Sequence, residues 1–188
     1  DGFLGMINFK QKRAIDSICR NLDYLTATVQ KFLNLSRIER GNLEINAVAV
    51  RLKADVFDPA LETFAKLIAD KQMQVDNALD EQIVVRADTD LLRIVANNLV
   101  NNAAKYGTPG GRIALASRVE GSTVTVEVYN DGRPIGPEDR EKLFRKFSRL
   151  DVPEKKKVKG RGLGLYITRQ IVEAHGGHID VEPRDAGN

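Results

Sequence analysis

Asn98-Leu99-Val100-Asn101-Asn102-Ala103-Ala104-Lys105-Tyr106 is the stretch that decides how this chain is read. Apolar and small residues recur through it at helical spacing, and Leu92 and Val95 carry the pattern back, so a helix is predicted from Asp90 to Tyr106. On that helix Asn98 and Asn102 are four residues apart and Lys105 three further on, which puts two amides and an ammonium on one face. A polar, solvated face would need nothing more. The same set also suits a magnesium triphosphate. An amide oxygen is a hard ligand, Mg2+ keeps most of its shell as water and phosphate oxygen, and a lysine neutralises phosphate as a point charge.

Beyond this helix, Ile113-Ala114-Leu115 and Val124, Val126, Val128 read as two strands around a turn at Glu120-Gly121-Ser122. The second strand runs into Asn130-Asp131-Gly132-Arg133-Pro134-Ile135. Strand parity puts Asn130 on the face of the valines and Asp131 on the other, although Asn-Asp-Gly is also what a plain turn looks like. Pro137 to Leu150 is predicted as a helix. Gly160-Arg161-Gly162-Leu163-Gly164-Leu165 opens another, from Leu163 to His175, which Gly176-Gly177 ends. Glycines at a helix N-terminus let backbone N–H groups approach an anion, which the helix dipole favours. A dinucleotide fingerprint is excluded, because no strand precedes within a βαβ unit and the spacing is not G-x-G-x-x-G. Lys155, Lys156, Lys157 and Lys159, just ahead, read as solvated charges, and Ile179-Asp180-Val181 as a last strand.

On the N-terminal side, Val56, Phe57, Ala60, Leu61, Phe64, Ala65 and Ile68 trace the apolar face of a helix, and Ile83-Val84-Val85 reads as a short buried strand. Helices and antiparallel strands without strict alternation predict a two-layer α/β sandwich rather than a doubly wound parallel sheet. From Lys10 to Arg40, residues Ile15, Ile18, Leu22, Leu25, Val29 and Phe32 recur at steps of three and four. That is the seam of a long helix in a coiled coil or bundle, with Gly41 as its stop, although a helix lying on its own domain shares part of the pattern.

Bulk properties narrow the field. A chain of 188 residues holds one ordinary core, or one plus a helical appendage. Hydrophobic residues at 42% and charged ones at 29% describe a globular protein. Lys+Arg 29 against Asp+Glu 26 leaves only +3, interspersed, so no basic face argues for nucleic acid. A single cysteine, Cys19, excludes an intramolecular disulfide, and with two histidines it makes no zinc site, which fits a reducing compartment. No apolar run reaches bilayer length, so no membrane contact is expected of this stretch. The opening at Asp1, in what reads as structured protein, is expected to be a cut from something longer.

In order and spacing these motifs resemble the N box, first glycine box, phenylalanine box (Phe144-Arg145-Lys146-Phe147) and second glycine box of sensor histidine kinases. The likeness extends to Arg86-Ala87-Asp88, to Ile171-Val172-Glu173-Ala174-His175-Gly176-Gly177, and to Leu33-Asn34-Leu35-Ser36-Arg37-Ile38-Glu39-Arg40-Gly41, which is similar to the close of the second dimerisation helix. What the resemblance implies is a two-layer α/β sandwich of the Bergerat (GHKL) type over residues 50–188, preceded over 1–45 by the truncated end of a dimerisation and histidine-phosphotransfer hairpin. The implied ligands are ATP and Mg2+. Asn102 would bind the metal with Asn98 beside it, Lys105 would meet phosphate, and Tyr106 would lie against the nucleotide. Asn130, Gly132 and Ile135 would line the base, Gly160, Gly162, Leu163, Gly164 and Leu165 would cradle the phosphates, and the span from Phe147 to Gly160 would be a lid. The γ-phosphate would pass to a histidine expected before Asp1, for relay to a response regulator receiver domain, in a cytoplasmic homodimer paired through the N-terminal helix, alone or as part of a membrane-bound sensor. The only histidines here, His175 and His178, flank Gly176-Gly177 and read as structural.

Three positions depart from, or bear on, that pattern. The related gyrase-type ATPases place a glutamate four residues before the magnesium asparagine; here it is Asn98, and an amide cannot serve water as a general base. The family usually has Asp where this chain has Asn130, and Gly where it has Pro134. These leave open a degenerate scaffold or interaction module as the alternative function. If the Asn130 amide reads the adenine edge, Asn130→Asp should strengthen ATP binding by on the order of 1 kcal/mol, the gain from charge assistance, with none for GTP. Parallel calorimetric titrations decide it; equal gains for both nucleotides would indicate a general electrostatic effect.

Overall fold

The computed structural model describes residues 7–19, 22, 25, 29, 43–148, 162–182, 184 and 186–188, in two units, Asp1–Leu43 and Glu44–Asn188. In the first, residues 9–19 and Leu22, Leu25 and Val29 are helical. Its start is closed reciprocally: the Asn8 N–H donates to Gln11 Oε1 at 2.8 Å and the Gln11 N–H to Asn8 Oδ1 at 2.9 Å, a capping box. Ile15, Ile18, Leu22, Leu25 and Val29 are exposed. Phe32, Leu33 to Gly41, the four lysines from Lys155 to Lys159 and Gly160 lie outside the described residues.

The second unit runs β1 (Val48–Arg51), a π-helical stretch (Leu52–Phe57), α1 (Asp58–Asp70), β2 (Gln74–Ala78), β3 (Val84–Ala87), α2 (Thr89–Tyr106), β4 (Arg112–Glu120), β5 (Thr123–Asn130), α3 (Pro137–Leu143) and α4 (Gly164–Ala174). Strands β1 and β3 pair antiparallel, and β2-β4-β5 form a mixed sheet in which β2 runs parallel to β4. The β4–β5 turn needs only Gly121 and Ser122 because Gly121 takes φ +60°, where a Cβ would be strained. Ile113 and Leu115 of β4 point into a core completed by Val50, Val56, Phe57, Ala60, Ile68 and the α2 residues Ala96, Val100, Ala103 and Ala104. Val126 and Val128 of β5 pack against that core, so α2 lies over the inner face of the sheet.

Two helices end alike. At α1 the Gln72 N–H reaches the Ala69 carbonyl (2.9 Å) and the Met73 N–H the Ile68 carbonyl (3.1 Å), with Gln72 at φ 53°. At α4 the Gly176 and Gly177 N–H groups reach the Glu173 and Val172 carbonyls, each at 2.9 Å, with Gly176 at φ 75°. Both are Schellman closures, and only the second uses the expected glycine.

Three expectations are corrected. Ile83-Val84-Val85 is not buried on both faces: Ile83 and Ala87 are buried and Val84 and Arg86 exposed, so only one face of β3 meets the core. The helix expected from Pro137 to Leu150 ends at Leu143, since Phe144 leaves helical geometry and Phe147 sits at φ 58°. No strand forms at Ile179-Asp180-Val181. The outer edge of β5 is met instead by a bridge between Asp131 and Gly187.

His175 ties the ends of α2 and α4 together. Its Nδ1 lies 2.8 Å from the Ile171 carbonyl and its Nε2 accepts the Asp88 N–H at 3.0 Å, so the ring is the neutral tautomer with hydrogen on Nδ1. Asp88 in turn caps α2 by accepting the Leu91 N–H at 3.0 Å. His175→Ala should cost about 1–3 kcal/mol in denaturant unfolding by stranding a part-buried donor beside the cap. A loss within about 0.3 kcal/mol, well under one hydrogen bond, would mean the ring contributes nothing there.

Candidate functional site

The N-box helix and the second glycine box meet directly. Asn98 is buried, and its Nδ2 lies 3.3 Å from both the Gly164 carbonyl and Thr168 Oγ1 on α4. A Cβ at Gly164 would stand 3.3 Å from Asn98 Oδ1, so glycine there lets the helices approach this closely. Helix α4 follows Leu163 at its N-cap position, with no side-chain cap and no acidic residue in its first turn. No side chain among the described residues caps its first N–H groups, and a helix N-terminus of this kind suits an anion beside Asn98. One turn along α2, Asn102 and Lys105 are half-buried and Tyr106 is half-exposed, with Lys105 Nζ 5.7 Å from the Tyr106 ring centroid.

The first glycine box docks on the far end of α2. The Thr108 N–H donates to the Asp131 carbonyl at 2.8 Å, and a Cβ at Gly132 would stand 3.2 Å from the Tyr106 carbonyl. Asn130 continues the inner face of β5. Its Nδ2 donates to the Asp131 carbonyl at 3.2 Å, which leaves Oδ1 as the end able to accept a hydrogen bond. The rival carboxylate is engaged elsewhere: Asp131 Oδ1 accepts from the Tyr129 hydroxyl at 2.8 Å and Oδ2 from the Arg112 N–H at 2.7 Å. Tyr129 lies on the outer face of the sheet, with Arg112 and Arg184 each 5.6 Å from its ring centroid.

Other contacts around the site were not legible in the motifs. Lys71 Nζ holds the carbonyls of Lys105 (2.7 Å) and Gly107 (2.9 Å), a cation on the last turn of α2. Asn188 spans the first glycine box: its Oδ1 accepts the Ile135 N–H at 2.7 Å and its Nδ2 donates to the Arg133 carbonyl at 2.9 Å. Gly162, at φ 68°, abuts Phe147 and Ser148, closing the base of the span expected to be the lid, and a Cβ there would meet the Ser148 carbonyl. Thr168 is fully buried. The signal for Thr168 was a hydroxyl on the buried side of an amphipathic helix; for Lys71 and Asn188 there was none. A cleft of about 260 Å³ lined by Arg51, Lys53, Ala54, Asp58 and Glu81 holds none of the motif residues, and its charges are already paired, Lys53 Nζ lying 2.8 Å from Glu81. It is not the site.

The Tyr129 hydroxyl, and after it the Arg112 N–H, hold the Asp131 carboxyl below the usual carboxylate range, and the same contact pushes the Tyr129 phenol up. A depressed folded pKa contributes stability that is present above the unfolded value of about 3.9 and lost as pH falls through the folded value. Tyr129→Phe should therefore raise the Asp131 midpoint in a carboxyl NMR titration and lose less stability than the parent on acidification. An unchanged midpoint would remove Tyr129 as the cause.

Residues 87–188 match the family described as histidine kinase-, DNA gyrase B-, and HSP90-like ATPases. The chain is 33% identical over 181 residues to the circadian input-output histidine kinase CikA of Synechococcus elongatus, covering 95% of this chain and 24% of that protein. To the sensor histidine kinase CusS of Escherichia coli O157:H7 it is 32% identical over 180 residues, covering 94% of this chain and 37% of that one. It thus spans well under half the length of these relatives. The solved catalytic domain of the histidine kinase ThkA superposes with a TM-score of 0.67 at 30% identity, over 76% of this chain and 90% of that domain. ThkA has also been solved in complex with a response regulator, TrrA, at a TM-score of 0.67 and 26% identity, over 97% of this chain and 50% of that one. With its two-layer α/β sandwich, N-box helix and glycine boxes, this chain belongs to the histidine kinase-, DNA gyrase B- and HSP90-like ATPase family, as an ATP-binding domain of the sensor histidine kinase kind.

Proposed function

We propose that the chain binds Mg-ATP at the α2–α4 junction and donates the γ-phosphate to a histidine on an upstream helix of its parent protein, for relay to a receiver domain. The observation that carries this is the Asn98–Gly164 contact, which sets the amides of α2 beside the uncapped N-terminus of α4. ATP supplies the phosphoryl group, and Mg2+ neutralises its phosphate oxygens. The donor set fits that pair: amide oxygens for a hard cation, backbone N–H groups for the phosphates. Asn102 holds the metal and Lys105 lies along the phosphates. Gly162, Leu163, Gly164 and Leu165 turn their N–H groups to the chain of phosphates, while Asn130 Oδ1 accepts from the adenine amino group beside Gly132, Ile135 and Tyr106. Transfer then rests on positioning and charge stabilisation, which asks no proton chemistry of these residues.

Hydrolysis is disfavoured, because the place of a water-activating carboxylate is taken by Asn98, whose amide is bonded to α4. The exposed seam from Ile15 to Val29 supports pairing through the N-terminal segment, which we assign to the end of a dimerisation hairpin. The ThkA–TrrA complex supports a receiver domain as partner. A second reading, a scaffold with little nucleotide affinity, is favoured by Asn130 and by Pro134, which stiffens the base-side turn.

Asn102→Ala should abolish Mg-dependent ATP binding and leave the fold intact, since its half-buried side chain lies outside the core. Calorimetry with and without Mg2+ tests it. Unchanged affinity in the variant would remove Asn102 from the site, and a parent chain that binds no Mg-ATP would favour the scaffold.

A further inference from the structure

Thr168 has no place in any of the sequence motifs, yet it is fully buried in the middle of α4 between Ile167 and Ile171, which are buried too. A hydroxyl in such surroundings costs free energy unless it is bonded, and packing alone would be served as well by valine. The hydroxyl has a partner: Oγ1 lies 3.3 Å from Asn98 Nδ2. The Gly164 carbonyl, one turn earlier on the same face of α4, lies 3.3 Å from that nitrogen as well. Asn98 thus has an acceptor on α4 for each of its two amide hydrogens. Its oxygen is turned to the opening turn of α4, 3.3 Å from where a Gly164 Cβ would stand. With one acceptor the amide plane could swing about its last side-chain bond, a torsion with a broad profile; with two acceptors on one rigid helix it is held.

We propose that Thr168 is a positioning residue of the nucleotide site, fixing the Asn98 amide so that its oxygen faces the α4 N-terminus where the metal and phosphates lie. Thr168 touches neither ATP nor Mg2+; it acts through Asn98. The proposal rests on the Mg-ATP reading above and deepens it: the second glycine box serves the nucleotide with its backbone and, one turn in, with a side chain that aims the N box.

The test is a set of Thr168 variants in this chain. Thr168→Val keeps the shape and removes the acceptor, and Thr168→Ser keeps the acceptor. Thr168→Val should bind Mg-ATP about five- to tenfold more weakly, the fold-change of one net hydrogen bond, while still unfolding cooperatively well above the temperature of the titration. Thr168→Ser should restore the affinity. In nucleotide-free protein the side-chain amide resonances of Asn98 should move in Thr168→Val and return in Thr168→Ser, a readout that general loosening of the core would not give. If Thr168→Val fails to fold, Thr168→Ala takes its place against Thr168→Ser. Parent-like Mg-ATP affinity in the acceptor-free variant, or a serine variant as weak as it, overturns the proposal while leaving the nucleotide reading intact. Absence of Mg-ATP binding in the parent chain overturns that reading, and the proposal with it.

Discussion

The contact between the Asn98 amide and helix α4 is the constraint on which the rest of the site depends. It is a buried polar joint between two otherwise apolar helix faces, and its geometry explains several residue choices together. A Cβ at Gly164 would crowd the Asn98 amide, Thr168 offers an oxygen to the Asn98 amide nitrogen, and the α4 N-terminus is held beside α2 with no side-chain cap among the described residues. At the opposite end of the same helix pair, His175 accepts the Asp88 N–H and keeps the start of α2 in register with the end of α4. The two helices are thus joined by hydrogen bonds at two levels, and Ile167 and Ile171 of α4 are buried beside the Asn98 joint. A buried, bonded amide is costly to strand, so the joint specifies one arrangement rather than merely adding attraction.

The other half of the site is organised by strand parity. β5 delivers Asn130 to the inner face and Asp131 to the outer, where Tyr129 and the Arg112 N–H engage its carboxylate. The charged group of the pair is thereby spent on the sheet, and the neutral amide faces the helices. The Thr108 N–H then ties the turn that follows to the end of α2, while Lys71 holds the last carbonyls of that helix and Asn188 spans the turn itself.

Helical spacing marked α1, α2 and α4, and alternation marked β4 and β5, because each has one apolar face on the core. Less regular elements left no such trace. β2 was missed because Gln74-Val75-Asp76-Asn77-Ala78 has no apolar alternation; Val75 is exposed, and the strand is held by backbone pairing to β4. α3 is shorter than its pattern because Phe144, though buried, packs from a turn, its ring 5.9 Å from the Arg169 guanidinium. The strand expected at Ile179-Asp180-Val181 fails for a similar reason, since three residues of alternation do not decide between pairing and a loop. Of the site, residues on periodic elements were legible, Thr168 only as a hydroxyl on a buried helix face, whereas Lys71 and Asn188 act through hydrogen bonds to groups far away in sequence, which no local pattern encodes.

The central claim is that the α2–α4 junction, rather than any other surface, receives a magnesium triphosphate. Titration of the isotopically labelled chain with Mg2+ and a non-hydrolysable ATP analogue, followed by NMR, tests it most directly. The account predicts that the largest shifts fall on the backbone N–H groups of Gly162, Leu163, Gly164 and Leu165 and on the side-chain amides of Asn98 and Asn102. Shifts confined to other surfaces, such as the Arg51–Glu81 cleft, would contradict it.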